Sequence, residues 1–479
     1  MGKPVTTAYL KNTWRYYHEK EICCVASSCY AAALRLRGPA SGETSSSPGQ
    51  ANTPGPSVTP APSAGGNATQ FDPSAAIEET VLVDESDIKI TATGIKYTAY
   101  DVKLSLAIEN NSDQDLSFYS GTSGYNCNSI NGYMVDDGYL NTDIAAGKKA
   151  NETVSFSVDE LVLLGFDDIA DIELGFSIID SNYDDYLQTG PRQIKTSIAD
   201  SYNYDTDTYR QAIVNSMSVL GFTLDCNSEE TVFDQKGIRV VSQTLATNSS
   251  GEQALLVEVE NVSPDMVYVS VGNISMNGLE VQSGNWSTDW ISAGKRRIIA
   301  MNLSNMLDES YRAAFGLEDV GQVTYTFEPK DSDRDTLVVP QALTLTVPSG
   351  NTSYDSSGEE LYQEDGIRIV SKGLAPDSFE LSDDIHLLLL VENSASEQLT
   401  FDVDYDSVSV NGYMTDFICY SRTVAPGSSG VLDVELMGSA LEENGIVALE
   451  SISEVELTVE VKNDNYKTVA KPVVAAKGN

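Results

Sequence analysis

The chain is poor in the residue types on which most enzymes and nucleic-acid-binding proteins depend. Its 479 residues include only 2 histidines, 6 cysteines and 3 tryptophans, and 29 lysines and arginines stand against 71 aspartates and glutamates. A formal net charge of -42 leaves no basic surface able to neutralise a row of phosphates, so we exclude nucleic acid as a partner. We interpret the acidic excess as a solvated, self-repelling surface.

Hydrophobic runs long enough to cross a membrane are also missing. No stretch approaches 18 apolar residues, so we expect no transmembrane helix. Shorter runs, such as HLLLLV at 386–391, exclude a wholly disordered chain. A chain of this length is long enough for about three domains of ordinary size.

The N-terminal segment differs in charge from the rest of the chain. Residues 1–38 contain six basic and two acidic residues, followed by a large acidic excess. Ala26-Ser27-Ser28-Cys29 resembles a degraded lipobox, which makes Cys29 the candidate for a lipid anchor. We interpret 1–37 as a degraded or mis-framed export/lipoprotein signal region and expect an extracellular protein, attached to the cell surface or secreted.

A tether follows this segment. Residues 38–70 are rich in Gly, Pro, Ser and Thr and contain too little apolar surface to fold. The sequence therefore predicts a disordered linker over 38–78, of the kind that separates an anchor from surface modules.

One short string recurs along the remaining chain. SINGYM stands at 129–134, SVNGYM at 409–414 and a diverged copy, SMNGLE, at 275–280. Asn-Gly is the residue pair best able to supply the positive backbone angles of a tight turn. Each copy is therefore predicted to reverse direction at its Asn-Gly pair.

The repetition extends far beyond these six residues. In each copy an apolar alternation ending in Glu-Asn precedes the Asn-Gly pair, and IAAGKK, ISAGKR or VAPGSS follows it. One short helical signal with a serine as its cap comes next, at 157–165, 302–310 and 439–446, and an alternating hairpin closes the copy. Six to eight short strands of period two in about 120 residues predict an antiparallel β-sandwich.

The sequence thus predicts an all-β protein of three tandem Ig-like antiparallel β-sandwich modules, each with one short helix, after a disordered N-terminal tether. The Cys–Trp–Cys pattern of true immunoglobulin domains is absent. The predicted modules, called repeats 1, 2 and 3 below, span 79–200, 228–349 and 359–477, with a helical or extended connector at 201–227 and a linker at 350–358.

NGYM, AAGKK and a hydrophobic closing hairpin, after a Pro/Ser/Thr tether, resemble uncharacterised tandem β-sandwich repeat modules of Gram-positive extracytoplasmic lipoproteins. The resemblance covers about three quarters of the chain. It implies a surface location and no particular chemistry. Repeat 2 departs most from the pattern, since Leu279 and Glu280 replace Tyr and Met.

Residues able to catalyse a reaction are scarce. His18 lies in the N-terminal segment, and His386 alternates within a predicted strand, where a histidine at the edge of the core is expected. A carboxylate pair could hydrolyse glycosides, but no pair is singled out among 71 acids. Cys127, Cys226 and Cys419 fall one near each repeat and are predicted to be partly buried free thiols.

The sequence predicts candidates for two kinds of binding site. Asp331, Asp333 and Asp335 begin like a calcium loop, although Thr336 stands where the loop needs glycine, so calcium would bind weakly. Aromatic residues near the Asn-Gly turns are candidates for stacking on sugar rings or for anchoring a protein partner. These residues are Trp286, Trp290, Tyr133, Tyr139, Tyr413 and Tyr420.

We therefore interpret the protein as non-enzymatic, without a cofactor beyond weakly bound calcium. The favoured function is a cell-surface or secreted spacer and protein-interaction module. The alternative is a carbohydrate-binding module protein that uses its exposed aromatic residues. Its partner would accordingly be a surface protein or a glycan.

Overall fold

The computed structural model describes residues 71–121, 127–303, 309–348, 350–377 and 382–478, without the side chains of 282–286 and 309–310. The predicted export segment with Cys29, and the tether as far as residue 70, lie outside these residues. The described chain divides into two compact units. Unit 1 contains the described residues up to Leu224 together with Ala246–Gly251 and Gly294–Ala300, and unit 2 contains the remainder.

Strands make up most of both units. In repeat 1 they are β1 (Thr80–Glu85), β2 (Ile88–Tyr97), β3 (Asp101–Asn110), β4 (Leu116–Ser120), β5 (Ser129–Ile130), β6 (Tyr133–Met134), β7 (Leu140–Ile144), β8 (Lys148–Ser157), β9 (Asp171–Leu174), β10 (Ser177–Asp180), β11 (Asp185–Gln188) and β12 (Arg192–Lys195). In the connector and repeat 2 they are β13 (Phe222–Ser228), β14 (Phe233–Gln235), β15 (Ile238–Asn248), β16 (Gln253–Asn261), β17 (Val267–Met276), β18 (Leu279–Ile291), β19 (Arg296–Asn302), β20 (Gln322–Lys330) and β21 (Gln341–Thr346). In repeat 3 they are β22 (Glu359–Glu364), β23 (Ile367–Pro376), β24 (Ile385–Asn393), β25 (Leu399–Val403), β26 (Ser409–Val410), β27 (Tyr413–Met414), β28 (Phe417–Cys419), β29 (Arg422–Val424), β30 (Ser428–Leu436), β31 (Glu454–Asn463), β32 (Thr468–Ala470) and β33 (Val473–Lys477).

The α-helices in the described residues are few and short. They are α1 (Val158–Leu163), α2 (Thr208–Val219), α3 (Glu309–Ala314) and α4 (Gly438–Glu443). The expectation of one short helix in each repeat is confirmed by α1, α3 and α4, and α2 forms the helical part of the connector. Serine caps were a poorer prediction, because Ser157 precedes α1 without a capping hydrogen bond and Ser439 lies inside α4.

Unit 1 is built from antiparallel sheets around a common core. One sheet has the order β1-β2-β3-β8, with β8 at its edge among the described strands. The facing strands follow the orders β11-β10-β4-β7 and β12-β9-β5-β6. Large apolar side chains, such as Phe118, Phe156 and Phe176, are fully buried between the layers. The predicted all-β sandwich architecture is confirmed.

Unit 2 repeats this arrangement. The order β21-β20-β17-β18 corresponds to β12-β9-β5-β6 in unit 1, and β18 lies next to β30 in the order β30-β24-β23-β22. A further sheet has the order β27-β26-β31-β25-β29, with β32 and β33 also paired to β31. One core of aliphatic side chains, centred on Phe401 and the odd-numbered residues of β24, fills repeat 3.

The Asn-Gly turns have the predicted geometry in all three repeats. Asn131, Asn277 and Asn411 have φ of 50°, 50° and 53°, and the glycines that follow have φ between 84° and 87°. Positive φ at both central residues is the two-residue hairpin turn for which Asn-Gly is best suited. The sequence prediction of a chain reversal at each pair is confirmed.

The asparagine side chain has a second role that the sequence did not reveal. The amide of Asn277 donates to the carbonyl of Asp319 at 3.0 Å, and its Oδ1 accepts from the backbone N–H groups of Gly321 and Gln322. Asn131 and Asn411 make the corresponding bonds to the segments that precede β9 and β31. Each asparagine therefore ties its turn to the start of the closing hairpin.

Replacing Asn277 with alanine should destabilise unit 2 by about 2–4 kcal/mol, because the variant loses these hydrogen bonds and strains a positive φ. Urea unfolding followed by tryptophan fluorescence measures this, since Trp286 and Trp290 belong to unit 2. The control is Asn465→Ala on an exposed hairpin tip, which should change the free energy of unfolding by less than about 0.5 kcal/mol. Equal effects of the two substitutions would contradict the assigned role.

Candidate interaction edges

Two short segments of each repeat lie at the margins of its sheets. The turn edge is the pair of residues after Asn-Gly: Tyr133–Met134, Leu279–Glu280 and Tyr413–Met414. The entry edge is the pair of residues after the glycine of IAAGKK, ISAGKR or VAPGSS: Lys148–Lys149, Lys295–Arg296 and Ser428–Ser429. How these edges are used differs between the repeats.

In unit 1 the turn edge of repeat 1 is paired with the entry edge of the segment Gly294–Ala300. β6 runs parallel to the beginning of β19, with Tyr133 opposite Arg296. The backbone N–H of Arg296 donates to the carbonyl of Gly132 at 3.0 Å. Backbone pairing of this kind, in which one strand adds to the exposed edge of a sheet, is a common mode of protein recognition.

Three basic side chains reinforce this pairing. Lys295 Nζ lies 2.8 Å from Glu173 Oε1, and both side chains are largely buried. The guanidinium of Arg296 lies 5.7 Å from the centroid of the Tyr133 ring, and Arg297 forms an ion pair with Asp136. A partly desolvated cation is stabilised more strongly by a facing charge or aromatic ring than a fully solvated one. These contacts therefore favour a segment with basic residues at positions 295–297.

A buried carboxyl lies behind this ion pair. Glu160 of α1 accepts from the backbone N–H of Asp136 at 3.0 Å and is almost completely buried. Burial, together with the charges of Asp136 and Asp137, raises the pKa of Glu160 well above its usual range. The positive charge of Arg297 acts to lower the pKa of Glu160. It thereby limits the electrostatic cost of placing the carboxyl groups of Asp136, Asp137 and Glu160 close together.

Tyr133 is consequently a structural residue in this unit. Its side chain is only 1% exposed, its ring packs edge-on against Phe166, and its hydroxyl donates to Asp207 at 3.2 Å. Asp207 also caps α2 by accepting from the backbone N–H of Arg210. The expectation of an exposed ring at Tyr133 is wrong, because the connector helix and Arg296 cover it.

In unit 2 the turn edge of repeat 2 makes the same pairing with the entry edge of repeat 3. β18 runs parallel to β30, with Leu279 opposite Ser429 and Glu280 opposite Gly430. Leu279 occupies the position of Tyr133, and Ser429 that of Arg296, so the register is identical to that in unit 1. Leu279 is fully buried here, and the basic side chains are replaced by serine and glycine.

Glu280 is the polar residue of this second pairing. Burial raises its pKa to about 7, although the nearby positive charge of Arg422 acts to lower it. Arg422 itself is held by a hydrogen bond from its Nε to the carbonyl of Val431 at 2.7 Å. A carboxyl with this pKa is protonated in folded protein at mildly acidic pH and ionised above neutrality.

The folded-state pKa of Glu280 lies above the value of 4.5 for a free carboxyl, so its contribution to stability is fully present below pH 4.5 and is lost as pH rises through about 7. Glu280→Gln should therefore stabilise unit 2 by roughly 1–2 kcal/mol at pH 8 and have little effect at pH 4.5. Urea unfolding at both pH values tests this. The exposed control Glu364→Gln should show no such difference, and a gain that is independent of pH would contradict the assignment.

The face of repeat 3 that lies beside this pairing is covered as well. Residues of β24 are buried on both faces, whereas β3 of repeat 1 alternates between buried and half-buried residues. The HLLLLV run is thus explained by a strand with two buried faces. On the outer face His386 Nδ1 lies 2.9 Å from Asp433, to which the hydroxyl of Tyr311 on α3 also donates.

Burial lowers the pKa of His386, but the hydrogen bond and negative charge of Asp433 outweigh burial, so the pKa lies above its ordinary value. The ring also packs edge-on against Tyr311. His386 is therefore the histidine at the edge of the core that its alternating position suggested. Its contacts join α3 to β24 and β30.

The turn edge of repeat 3 differs from the other two. Tyr413 and Met414 are 56% and 60% exposed, and β27 is the last strand of its sheet in the described chain. Tyr413 is opposite Val410 across the turn, and its other side faces outward. Ile418 and Tyr420, a few residues further along the chain, are also exposed, Tyr420 to 85%.

The remaining aromatic candidates lie in different settings. Trp290 packs edge-on against Tyr268, and the guanidinium of Arg334 lies 5.9 Å from its ring, so two side chains partly cover the indole. Trp286 belongs to β18, but its side chain lies outside the described part of the structure. Tyr139 is half exposed and accepts a hydrogen bond from Asn141.

The acidic hairpin that begins at Asp331 uses its oxygens for backbone geometry. Asp331 Oδ1 accepts from the N–H groups of Asp333 and Asp335 at 3.0 and 2.9 Å. Asp180 and Asn463 make the same bonds at the equivalent tips. No group of three or more His, Cys, Asp or Glu side chains in the described residues is placed to hold a metal ion, so the predicted calcium ligands are not gathered.

The cysteines of the described chain are free, as the sequence predicted. Cys127 is buried, and burial raises the pKa of its thiol to about 12, as it does for Cys419. Thiols with such pKa values are unreactive at neutral pH. Among the helices of the described residues, none has the length and apolar character to span a membrane.

No family model and no curated protein matches the chain. Solved structures similar to it include the exo-chitosanase CsxA of Amycolatopsis orientalis, 6% identical over 84% of this chain and 78% of its own, with a TM-score of 0.16. A protein of unknown function from Porphyromonas gingivalis W83 is 10% identical over 47% of this chain and 91% of its own, with a TM-score of 0.14. Red sea bream transglutaminase is 11% identical over 64% of this chain and 37% of its own, with a TM-score of 0.14. At such identities and TM-scores these similarities carry no inference about function.

Proposed function

We propose that the protein is a non-catalytic cell-surface or secreted repeat protein, in which tandem β-sandwich repeats serve as a spacer and as a protein-interaction module. The observation that carries this proposal is the parallel pairing of a turn edge with an entry edge. It occurs in unit 1 and again in unit 2 with the same register. A pairing that tolerates exchange of all its side chains but keeps its backbone register is suited to linking modules in series.

The connecting segments support a spacer function. In unit 1, α2 of the connector packs on α1, and the hydroxyl of Thr208 donates to the carbonyl of Leu164 at 2.8 Å. In unit 2, the linker at 350–358 is held by Lys372, whose Nζ bonds the carbonyl of Ser357 at 2.6 Å. The connector is therefore tied to repeat 1, and the linker is tied to repeat 3.

The interaction function rests on repeat 3. The turn edge exposes Tyr413 and Met414. The other large apolar side chains that the described part of this repeat exposes are Tyr405, Ile418, Tyr420, Val447, Tyr466, Val469 and Val473. Exposed aromatic and methionine side chains at a sheet edge are typical anchors for a protein partner. The described histidine and cysteines, by contrast, are committed to packing and ion pairing, which favours binding over catalysis.

The location is proposed from the N-terminal sequence and from the resemblance to extracytoplasmic lipoproteins. In the native cells, a membrane-impermeant amine reagent should label the protein while a cytosolic enzyme stays unlabelled. N-terminal sequencing should show that Met1 has been removed, with a lipidated Cys29 if the anchor is used. An unlabelled cytosolic protein that retains Met1 would contradict the surface location.

The carbohydrate-binding alternative depends on exposed rings, and Tyr420 is the most open among the candidates whose side chains the structure describes. Under the proposed function, a glycan array incubated with the full chain should show no binding above background. Glycan binding that is lost in Tyr420→Ala or Trp290→Ala, and kept in the control Tyr100→Ala, would favour the alternative instead. Tyr100 is a suitable control because its ring is exposed and it belongs to unit 1, whereas Tyr420 and Trp290 belong to unit 2.

A further inference from the structure

The open turn edge of repeat 3 resembles the turn edge of repeat 1 more than that of repeat 2. Repeats 1 and 3 have Tyr-Met after Asn-Gly, and an aspartate, Asp136 or Asp416, two residues further on. In repeat 1 this Tyr-Met pair is buried beneath the segment Gly294–Ala300. In repeat 3 the same side chains are exposed, as is Asp416.

The acid that pairs with Lys295 also recurs in repeat 3. Glu173 lies opposite Ser129 on the neighbouring strand, and Glu456 lies opposite Ser409 in the same way. The equivalent residue of repeat 2 is Thr324, opposite Ser275. The turn edge that faces Lys295 thus carries a glutamate, and the turn edge that faces Ser428 carries a threonine.

Only one other entry edge of the chain carries the basic residues that such an acid requires. Lys148 and Lys149 of repeat 1 follow Gly147 as Lys295 and Arg296 follow Gly294, and both lysines are exposed. They begin β8, which is the edge strand of its sheet in the described chain. Lys149 Nζ lies 2.9 Å from Glu109 on the same sheet.

We propose that the turn edge of repeat 3 binds the entry edge of repeat 1 in a second copy of this chain. The contact reproduces the pairing of unit 1: Lys148 faces Glu456, Lys149 lies over Tyr413, and the backbone N–H of Lys149 donates to the carbonyl of Gly412. This assignment names the partner of the interaction surface and therefore rests on the proposed function.

Charge complementarity argues for a second copy over an unrelated partner. In a chain with 71 acidic and 29 basic residues, two adjacent exposed lysines at a sheet edge are uncommon features. They fit an edge that presents Tyr413 and Glu456, and the ion pair of Glu173 with Lys295 shows how this sequence satisfies such an edge. Ala150 stands where the other pairing has Arg297, so the ion pair of Asp136 has no counterpart at Asp416. The contact joins two different surfaces, so each added copy leaves one free edge at either end.

The polar character of the outer face of repeat 1 determines how strong the contact between two copies can be. Residues such as Lys103, Ser105 and Glu109 alternate along the outer face of β3, whereas the corresponding face of β24 is apolar and buried. The contact between copies accordingly lacks the apolar part found beside β30. We expect reversible association at tens to hundreds of micromolar, a range reached where many copies are attached to one surface.

Sedimentation velocity of the full chain at 150 mM salt, over roughly 5–500 µM, should show a weight-average mass that rises above that of the monomer. Glu456→Lys and Lys148→Glu should each weaken association at least tenfold. The chain that carries both substitutions should recover to within about threefold of the original, because the introduced lysine of one copy then meets the introduced glutamate of the next. Exposed controls of the same charge change, Glu364→Lys and Lys96→Glu, should leave association unaltered.

A chain that stays monomeric over the whole range overturns the inference, as does a double variant that fails to recover while its circular dichroism and melting temperature match those of the original. These outcomes are separable from failure of the proposed function. A monomeric chain that is labelled at the cell surface refutes only the second copy as partner. Association of a chain found in the cytosol refutes only the surface location.

Discussion

The whole arrangement depends on one backbone interaction, the parallel pairing of the two residues after Asn-Gly with the two residues after a glycine further along the chain. Its hydrogen bonds involve backbone groups alone, so they are satisfied whether the turn edge is Tyr-Met or Leu-Glu. The Asn-Gly turn must hold its φ values for the edge to be presented in register. Asparagine suits this turn for two reasons. It tolerates a positive φ, and its side-chain amide forms hydrogen bonds to the start of the closing hairpin.

Side chains then decide which edges belong together. Glu173 and Asp136 meet Lys295 and Arg297 in unit 1, and burial of these groups strengthens each ion pair while making a missing partner costly. In unit 2 the same backbone pairing involves Leu279, Ser429 and Gly430. Glu280 is half-buried there, and burial raises its pKa to about 7 because ionisation of the partly buried carboxyl is unfavourable. A lysine opposite Thr324 would lack the carboxylate that Lys295 finds. Specificity thus comes from charge matching on a shared backbone frame.

Much of the fold could be predicted from the sequence, because period-two alternation and Asn-Gly pairs are local signals and because the same pattern recurs in three modules. The all-β sandwiches, the short helix of each repeat, and the reversed chain at Asn131, Asn277 and Asn411 follow from them. The burial of Tyr133 could not be predicted, since α2 and Arg296 cover it from positions more than 70 residues away. The aspartates of the calcium motif are not gathered in the described residues, and Asp331 accepts hydrogen bonds from its own turn. A signal for the paired edges was nevertheless present in the GKR triplet and in HLLLLV, a run without the alternation of a half-exposed strand.

The pairing of edges explains why NGYM occurs twice and NGLE once. Duplication alone would allow all three copies to drift equally, yet the copies that keep Tyr-Met also keep an aspartate two residues later and a glutamate opposite the serine before the turn. Four matching positions, on two strands and in the segment that follows one of them, define a surface. In repeat 1 that surface receives two ion pairs and an arginine over a tyrosine ring. In repeat 2 all four of these residues differ, and the entry edge with which it pairs has Ser428 and Ser429 in place of basic residues. The residues therefore vary as matched pairs of edges, which is the behaviour of contact surfaces and differs from that of side chains that only fill a core.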